Sequence, residues 1–522
     1  MKKILLLVVL VGSASMLQAQ KLEKTGLMIN DLKMAVFTPS DGNLYSFGSD
    51  ENNYYAYYDV RTMLQNATDV KYVPMGQSKD AYFIINKKLT TVKKCVVLEN
   101  KYDRFLTITL SGNNVIILVA RDQKSEQKTQ IIKQTYAKTT GSLIKETVIA
   151  SFPKSKSERW LFYSAASPDK TKTSILFMIA TKKSTVDGYY AAVLDEAYNI
   201  EWSLENDLEL SNESFSLKSL AVTNSGEMYI AFLSSPENTK QVSNKKSYID
   251  LVYLTEESKD KMNIPLEKHH FAEITLKPLK SGDVYIAALL SVASNSYASE
   301  FFSMKINGKN FNDGGIHTKE LLDKNIIAKF PKNYGILGVF LYHLDIENIL
   351  ELNNGNIAVV CEQEFTMSIR SNNITSYRKI KGSVTTFFVN GSDASIENVS
   401  VMDKYQLCAM MYNIDARIVG GSIFPFVYGN KVAYLFNDSF KKHATPAKYK
   451  GNGFQSANGK EKDGCIVLST QESGEKAKID VLTGKSENAG RLFRQILFQE
   501  GNKLIVLTRN NKEAYIETIT LP

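Results

Sequence analysis

The 522-residue sequence has little of several residue types that mark familiar protein classes. It contains two Trp, four Cys, five His and 11 Pro. No two cysteines form a Cys-x-x-Cys pair, and no His lies at a recognised ligand spacing from them, so there is no zinc motif. We therefore expect neither a bound metal nor a cofactor. Beyond the N-terminus, no segment approaches the length of about 18 apolar residues that predicts a transmembrane helix.

Catalytic sequence motifs are missing as well. There is no Gly-x-Ser-x-Gly elbow, His-Glu-x-x-His helix, phosphate-binding loop or EF-hand loop. The formal net charge is +8, but basic and acidic residues are interleaved along the chain. No basic stripe could follow a phosphate backbone, and we expect no nucleic-acid partner.

The first 19 residues have the pattern of a secretory signal peptide. Lys2 and Lys3 precede the apolar run Ile4–Val11, and small residues follow up to Ala19. The run is too short to cross a bilayer, which takes about 20 residues. We predict cleavage after Ala19 and export to the periplasm, cell surface or medium. Residues 20–522 then form the mature chain.

The mature chain repeats one local pattern, a turn followed by an apolar run of four to eight residues. Gly112, Asp169, Gly226 and Gly282 lie in such turns, 57, 57 and 56 residues apart. Gly and Asn favour tight hairpins because they tolerate a positive φ. The following runs, such as VIILVA and SILFMIA, are apolar at consecutive positions. Consecutive apolar positions predict strands that are covered on both faces.

This period is typical of a β-propeller, in which each repeat forms one four-stranded blade. The Ser167-Pro168-Asp169 turn and the other turn–strand units resemble blades of exported bacterial β-propellers. There is no WD dipeptide, kelch glycine pair or Asp-box, so the resemblance implies an architecture and carries over no functional residue. We predict one all-β propeller domain over residues 20–522, with about seven blades and a range of six to eight.

One stretch interrupts the period. Residues 318–330 (TKELLDKNIIAKF) have an amphipathic helical pattern with Thr318 as a candidate N-cap. We predict a helical insertion here, within about 311–335. An alternative is two smaller β domains joined near residues 308–335.

Few residues stand out as candidates for chemistry. Glu362 and Glu364 follow the strand-like run IAVVC, and residues two apart share one side of a strand. Such a pair could act in acid–base catalysis, or it could be a solvated strand end. His270 could enter a site with Glu273 as its partner, or it could be a surface histidine.

Cys95, Cys361, Cys408 and Cys465 each lie in an apolar stretch, which favours buried thiols over two disulfides.

These observations favour an exported, non-enzymatic protein that binds a protein or an envelope polymer through loops on one propeller face. The alternative is a polysaccharide hydrolase or lyase, whose carboxylates come from different blades and meet in the central channel. A purely structural surface component is a third possibility.

Overall fold

A computed structural model gives the structure of most of the chain. It describes residues 23–28, 43–59, 81–98, 100, 103–123, 125–153, 159–180, 186–206, 213–236, 248–266, 271–291, 298–308, 311, 315–321, 323–329, 343–371, 374–410, 422–444, 454–456, 464–482, 492–509 and 514–521. The expected signal peptide (residues 1–19) and His270 lie outside these ranges.

The strands of the first four blades follow one another along the chain. Blade 1 consists of β2 (Asn43–Ser49), β3 (Asn53–Asp59), β4 (Ala81–Asn86) and β5 (Val92–Val96). Blade 2 consists of β6 (Asp103–Ser111), β7 (Asn114–Gln123), β8 (Lys128–Ala137) and β9 (Leu143–Pro153). Blade 3 consists of β10 (Arg159–Ala166), β11 (Thr173–Ala180), β12 (Val186–Leu194) and β13 (Ile200–Asn206). Blade 4 consists of β14 (Glu213–Val222), β15 (Met228–Pro236), β16 (Tyr248–Leu254) and β17 (Lys259–Pro265).

The second half is less regular. Blade 5 consists of β18 (Phe271–Pro278), β19 (Val284–Ser291), β20 (Glu300–Ile306) and β21 (Ile316–Glu320). Blade 6 consists of β22 (Leu344–Glu351), β23 (Ile357–Ser371), β24 (Ile374–Val389) and β25 (Ile396–Met402), and is enlarged by β26 (Gln406–Met410) and β29 (Phe454–Ser456). Blade 7 consists of β27 (Ile423–Tyr428), β28 (Lys431–Ser439), β30 (Gly464–Gln471) and β31 (Lys478–Val481). Blade 8 combines β32 (Leu492–Glu500), β33 (Lys503–Arg509) and β34 (Ala514–Thr520) with β1 (Glu23–Met28).

The protein is therefore an all-β propeller of eight blades, at the upper end of the predicted range and one more than the expected seven. From blade 8 through blade 1 to blade 7, the first strands of consecutive blades contact one another, and blade 7 meets blade 8 through contacts of β28 and β30 with β32. The N-terminal strand β1 pairs antiparallel with β34, so blade 8 is completed by the two ends of the described chain. Strand pairing thereby closes the ring.

The 57-residue period corresponds to one blade. Gly112, Gly226 and Gly282 lie in the turn between the first and second strands of blades 2, 4 and 5, all with positive φ. The turn of Gly226 is typical, because Thr223 N–H donates to Glu227 O and Gly226 N–H donates to Thr223 O. Not every glycine before an apolar run lies in a first hairpin turn, because Gly464, before the run CIVL, begins the third strand of blade 7. All the first hairpin turns lie at one face of the ring.

The doubly apolar strands reflect burial between blades. In β11, Ile175 and Phe177 pack toward blade 2, while Leu176 and Met178 pack toward blade 4. Eight such apolar clusters fill the eight blade junctions of the ring. Each fully buried large aliphatic or aromatic side chain contributes about 1.5–3 kcal/mol. The core is thus a series of layers between sheets.

The described chain has two short helices, α1 (Lys324–Ile327) and α2 (Phe440–Ala444). The helix predicted over 318–330 is present as α1, but it is shorter than the pattern suggested. Thr318 is not its N-cap, because it lies in β21 and pairs with Phe302. The cap is Asp323, whose carboxylate accepts from Asn325 N–H at 2.7 Å. Strand pairing with β20 has overridden the local helical pattern.

No helix within the described ranges has both the length and the apolar character needed to span a membrane.

Candidate functional site

The most unusual polar feature of the described chain is a group of charged residues that we call the charged array. It lies at the face of the ring opposite the first hairpin turns, where blade 6 is extended. It consists of Glu347 on β22, Glu362 and Glu364 on β23, Lys381 on β24, and Lys404 between β25 and β26.

The extension of blade 6 brings these residues together. β23 and β24 are 15 and 16 residues long, and both continue past the point where β22 begins. A bulge interrupts the β23–β24 register between Glu362 and Glu364. At this bulge the Gln363 side chain accepts from Ser383 N–H at 2.9 Å. Bulges re-aim side chains locally, and both neighbouring glutamates contact Lys381 here.

Lys381 is the centre of the array. Its Nζ lies 3.1 Å from Glu362 Oε2, 2.5 Å from Glu364 Oε2 and 2.8 Å from Glu347 Oε1. Burial alone would lower the pKa of Lys381, but Glu362, Glu347 and Glu364 raise it well above its ordinary value. Lys381 therefore stays charged and holds three carboxylates in place.

Glu362 is completely buried, with 0% of its side chain exposed. Lys404, also completely buried, contacts its Oε1, and Ser422 donates to its Oε2 at 2.6 Å. Burial alone would raise the pKa of Glu362, but Lys404 and Lys381 outweigh it and lower the pKa to about 2. Glu362 is an ionised carboxylate that solvent does not reach.

The array continues into blade 7 through amide groups. Lys404 Nζ donates to Gln406 Oε1 at 2.6 Å, and Ser422 N–H donates to the same oxygen at 2.7 Å. Gln406 Nε2 donates to Asn437 O on β28 at 2.6 Å. The array therefore fastens the extension of blade 6 to the neighbouring blade.

Glu273 lies next to the array, on the inner strand β18 of blade 5. Its Oε2 accepts from Ile346 N–H of blade 6 at 3.0 Å. Burial, and then the negative charge of Asp345, raise the pKa of Glu273 to about 7; Glu347 adds to the rise, whereas Ile346 N–H and Lys218 oppose it. At neutral pH this carboxyl group is divided between its neutral and ionised forms.

The remaining candidates contribute less. His270 lies outside the described residues, so its suggested pairing with Glu273 stays a prediction. Cys95, Cys361 and Cys465 are buried free thiols, in agreement with the apolar context of the sequence. The side chain of Cys408 is not among those described. Within the described ranges, no three His, Cys, Asp or Glu side chains are arranged to hold a metal ion.

Sequence reasoning identified Glu362 and Glu364 but missed their lysine partners. Lys381 lies in SYRKIKGSVTTFF and Lys404 in VMDKYQ, where nothing distinguishes them from surface lysines. The sequence suggests Glu273 only as a partner for His270. Its actual neighbours, Asp345 and Glu347, are more than 70 residues away in sequence.

Comparison with known proteins finds only distant structural similarity. No protein-family model and no curated protein matches the chain. Among solved structures, the polysaccharide lyase Uly1 aligns at 9% identity and TM-score 0.36, covering 93% of this chain and 98% of the lyase. The β-propeller domain of the Trilobed protease from Pyrococcus furiosus aligns at 11% identity and TM-score 0.33, covering 85% and 97%. An α-L-arabinanase from Penicillium chrysogenum aligns at 8% identity and TM-score 0.30, covering 57% and 99%. These alignments assign no function to this chain.

Proposed function

We propose that this protein is exported and acts without catalysis, holding a protein or an envelope polymer on the face of the ring where blade 6 is extended. The observation that carries the proposal is the state of Glu362 and Glu364, the carboxylates best placed by sequence for acid–base chemistry. Both are engaged by Lys381, and Glu362 is shielded from solvent. Carboxylates paired with a lysine in this way strengthen a scaffold, and because they stay ionised they are poor proton donors.

The extension of blade 6 is the part of the scaffold that departs from the repeat. β26 and β29 add two strands to β23 and β24 beyond the ordinary blade. The charged array anchors this added sheet to blade 7. A projecting sheet on a rigid ring is a suitable platform for a macromolecular ligand, because little backbone order has to be gained on binding.

The test compares binding by the intact protein and by a variant with a shortened extension. Residues 368–377 are replaced by Asn-Gly, which joins the paired residues Met367 and Arg378 and keeps Glu364 opposite Lys381. We expect the intact protein to co-sediment with purified peptidoglycan sacculi or to cross-link to an envelope protein, and the shortened variant to lose this binding. Lys280→Ala, in a turn on the opposite face, is the matched control. Equal binding by all three proteins would contradict the proposal.

Glu273 supports a second candidate function, polysaccharide hydrolysis or elimination. A carboxyl group with a pKa of about 7 next to Asp345 has the arrangement of a general acid paired with an ionised carboxylate. Purified protein would be incubated with a panel of neutral and acidic polysaccharides. Release of reducing ends or unsaturated ends that disappears in both Glu273→Gln and Asp345→Asn would establish this function. No release from any polysaccharide leaves the binding function as the better proposal.

A further inference from the structure

Two buried hydroxyl groups lie at the junction between blades 5 and 6. They belong to Ser383 and Thr385 of β24, each with 0% of its surface exposed. Within the part of the chain that the structure describes, neither Ser383 Oγ nor Thr385 Oγ1 has a hydrogen-bond partner. A buried hydroxyl without a hydrogen bond destabilises a folded protein, and native proteins rarely contain one. The two groups therefore point to a bound ligand.

Both hydroxyls are on the side of β24 that faces blade 5. Residues two apart in a strand point to the same side of the sheet, and Phe387, two residues beyond Thr385, stacks on Phe301 of blade 5. Cys361 lies directly opposite Thr385 on β23 and is buried in the same apolar cluster as Phe387. Burial raises the pKa of Cys361 well above its ordinary value, so its thiol is neutral. Two hydroxyls and a neutral thiol thus interrupt an otherwise apolar junction.

The strand ladder is interrupted beside these hydroxyls. Gly382 and Ser383 both lie opposite Gln363, where the register of β23 and β24 shifts. Gln363 Oε1 accepts from Ser383 N–H at 2.9 Å, and a Cβ on Gly382 would meet this oxygen at 2.6 Å. A bulge disrupts the ladder and bends the strand, so it gives a small polar molecule an access that a regular ladder would not give.

The charged array lies on the other side of the same sheet. Val384, between the two hydroxyl residues, packs with Tyr434 into the apolar cluster between blades 6 and 7. Glu362 pairs with Val384 and shares that side. The hydroxyls therefore form a separate site, at the level where the extension leaves the ring.

We infer that Ser383 and Thr385 bind one internal water molecule, which both hydroxyls share beside Cys361. Internal waters typically make about three hydrogen bonds to buried polar groups that lack a protein partner. Two hydrogen bonds of about 2.8 Å span about 5.5 Å, close to the separation of about 6.6 Å between alternate residues of a strand. The three groups carry no charge, so the site suits neither a metal ion nor an anion. The water completes the base of the blade 6 extension, whatever the extension binds.

Urea unfolding of hydroxyl-deletion variants of the full chain tests the inference. Thr385→Val keeps the shape of the side chain, and we expect it to lower the equilibrium constant for folding about fivefold, as one lost hydrogen bond typically does. Without a ligand, the same change would remove an unpaired buried group and stabilise the protein. Because one water serves both hydroxyls, adding Ser383→Ala to Thr385→Val should lower the constant by less than the product of the two single effects.

Thr386→Val is the matched control. Its hydroxyl lies on the other side of β24 and is hydrogen-bonded to Tyr434 Oη. This change should destabilise the protein as well, but its effect should multiply with that of Ser383→Ala, because the two hydroxyls share no ligand.

A crystal structure of the wild-type protein gives the direct readout, even where a variant does not fold. We expect one ordered water within about 3.2 Å of both hydroxyl oxygens. The inference is overturned if no water is found there, if each hydroxyl has a water of its own, or if either hydroxyl donates to a protein carbonyl instead. It is also overturned if Thr385→Val is as stable as the wild type or more stable, or if its effect multiplies with that of Ser383→Ala. None of these outcomes depends on ligand binding by the extension, so the two proposals fail separately.

Discussion

At the scale of single residues, the charged array shows how much the environment of a carboxylate decides its role. Glu362 and Glu273 are both largely buried glutamates of neighbouring blades. Lys404 and Lys381 lower the pKa of Glu362, whereas burial and Asp345 raise that of Glu273. The two pKa values differ because the nearest charges are positive at Glu362 and negative at Glu273. Glu362 is therefore a structural ion, whereas Glu273 titrates.

Glu273 should make the stability of the protein depend on pH between about 4.5 and 7. Its pKa in the folded chain, about 7, is above its ordinary value of 4.5, so the folded state binds this proton more tightly than the unfolded state. The resulting stabilisation is complete below about pH 4.5 and is lost as the pH rises to about 7, by up to about 3 kcal/mol. Glu273→Gln keeps an oxygen acceptor for Ile346 N–H and removes the ionisation. We expect its unfolding free energy to fall less across this range than that of the wild type.

Urea unfolding at a series of pH values measures this effect. Glu51→Gln, at an exposed position, is the control and should follow the wild-type curve. A wild-type curve and a Glu273→Gln curve that run parallel would show that Glu273 does not titrate in this range.

Breaking the array should be costly. Lys404→Met leaves Glu362 with Lys381 and Ser422 only, in a site without solvent. Removing one partner of a buried ion pair typically costs about 3–5 kcal/mol. The exposed pair Lys87–Glu500 provides the control, because Glu500→Gln should cost less than about 1 kcal/mol. Chemical denaturation of both variants measures the contrast, and similar losses would argue against a structural role for the array.

At the scale of elements, the blade junctions explain why this sequence forms strands that are apolar on both faces. Phe301 of β20 stacks on Phe387 of β24, with centroids 3.9 Å apart and ring planes 9° from parallel. Such contacts join blade 5 to blade 6, and Ile326 of α1 packs into the same apolar cluster. A blade alone would expose both apolar faces, so it gains its stability from its two neighbours.

β1 is the element on which ring closure depends. It pairs Glu23 with Thr518 and Met28 with Tyr515, and it provides the fourth strand of blade 8. Deleting residues 1–28 should leave β34 as an unpaired edge and lower the midpoint of thermal unfolding relative to a chain lacking residues 1–22. A synthetic peptide of residues 20–30, added in excess, should restore much of the loss by mass action. Equal midpoints for the two truncated chains would show that β1 contributes little to closure.

At the scale of the whole molecule, the ring is closed by strand pairing. The fold therefore depends on which strands are neighbours in the ring more than on the order of the strands along the chain. The antiparallel pairing of β1 with β34 brings Glu23 opposite Thr518, four residues before Pro522. β1 can therefore be moved behind β34 and connected by a short Gly-Asn linker, which makes blade 8 from four consecutive strands.

We expect this permuted chain, residues 29–522 followed by the linker and residues 22–28, to fold into the same ring. The strand pairs and blade junctions are unchanged, so its thermal midpoint should lie close to that of the chain lacking residues 1–22. Small-angle scattering should give the same radius of gyration for both. An expanded permuted chain would show that closure requires β1 at the N-terminus.

The sequence predicted the fold because each repeat is marked by local features, a hairpin turn followed by an apolar run. The first hairpin turns of blades 2 to 8 each contain one residue with a positive φ, which is a glycine in all of them except blade 3, where it is Lys170. Runs such as SILFMIA show that both faces of a strand are covered. The number of blades is harder to predict from the sequence, because blade 6 carries an extension and blade 8 takes its fourth strand from the N-terminal β1.

The sequence alone thus determined the class of fold, the repeat and the position of Glu362 and Glu364 after a buried strand. The tertiary structure decided what those glutamates do, because Lys381 and Lys404 approach them only when β23, β24 and the chain before β26 are assembled. It also decided that Glu273 faces Asp345 of the next blade, and that the hydroxyls of Ser383 and Thr385 are buried. Turn geometry and apolar periodicity are local properties of the chain, whereas charge environment and exposure depend on residues that are distant in sequence.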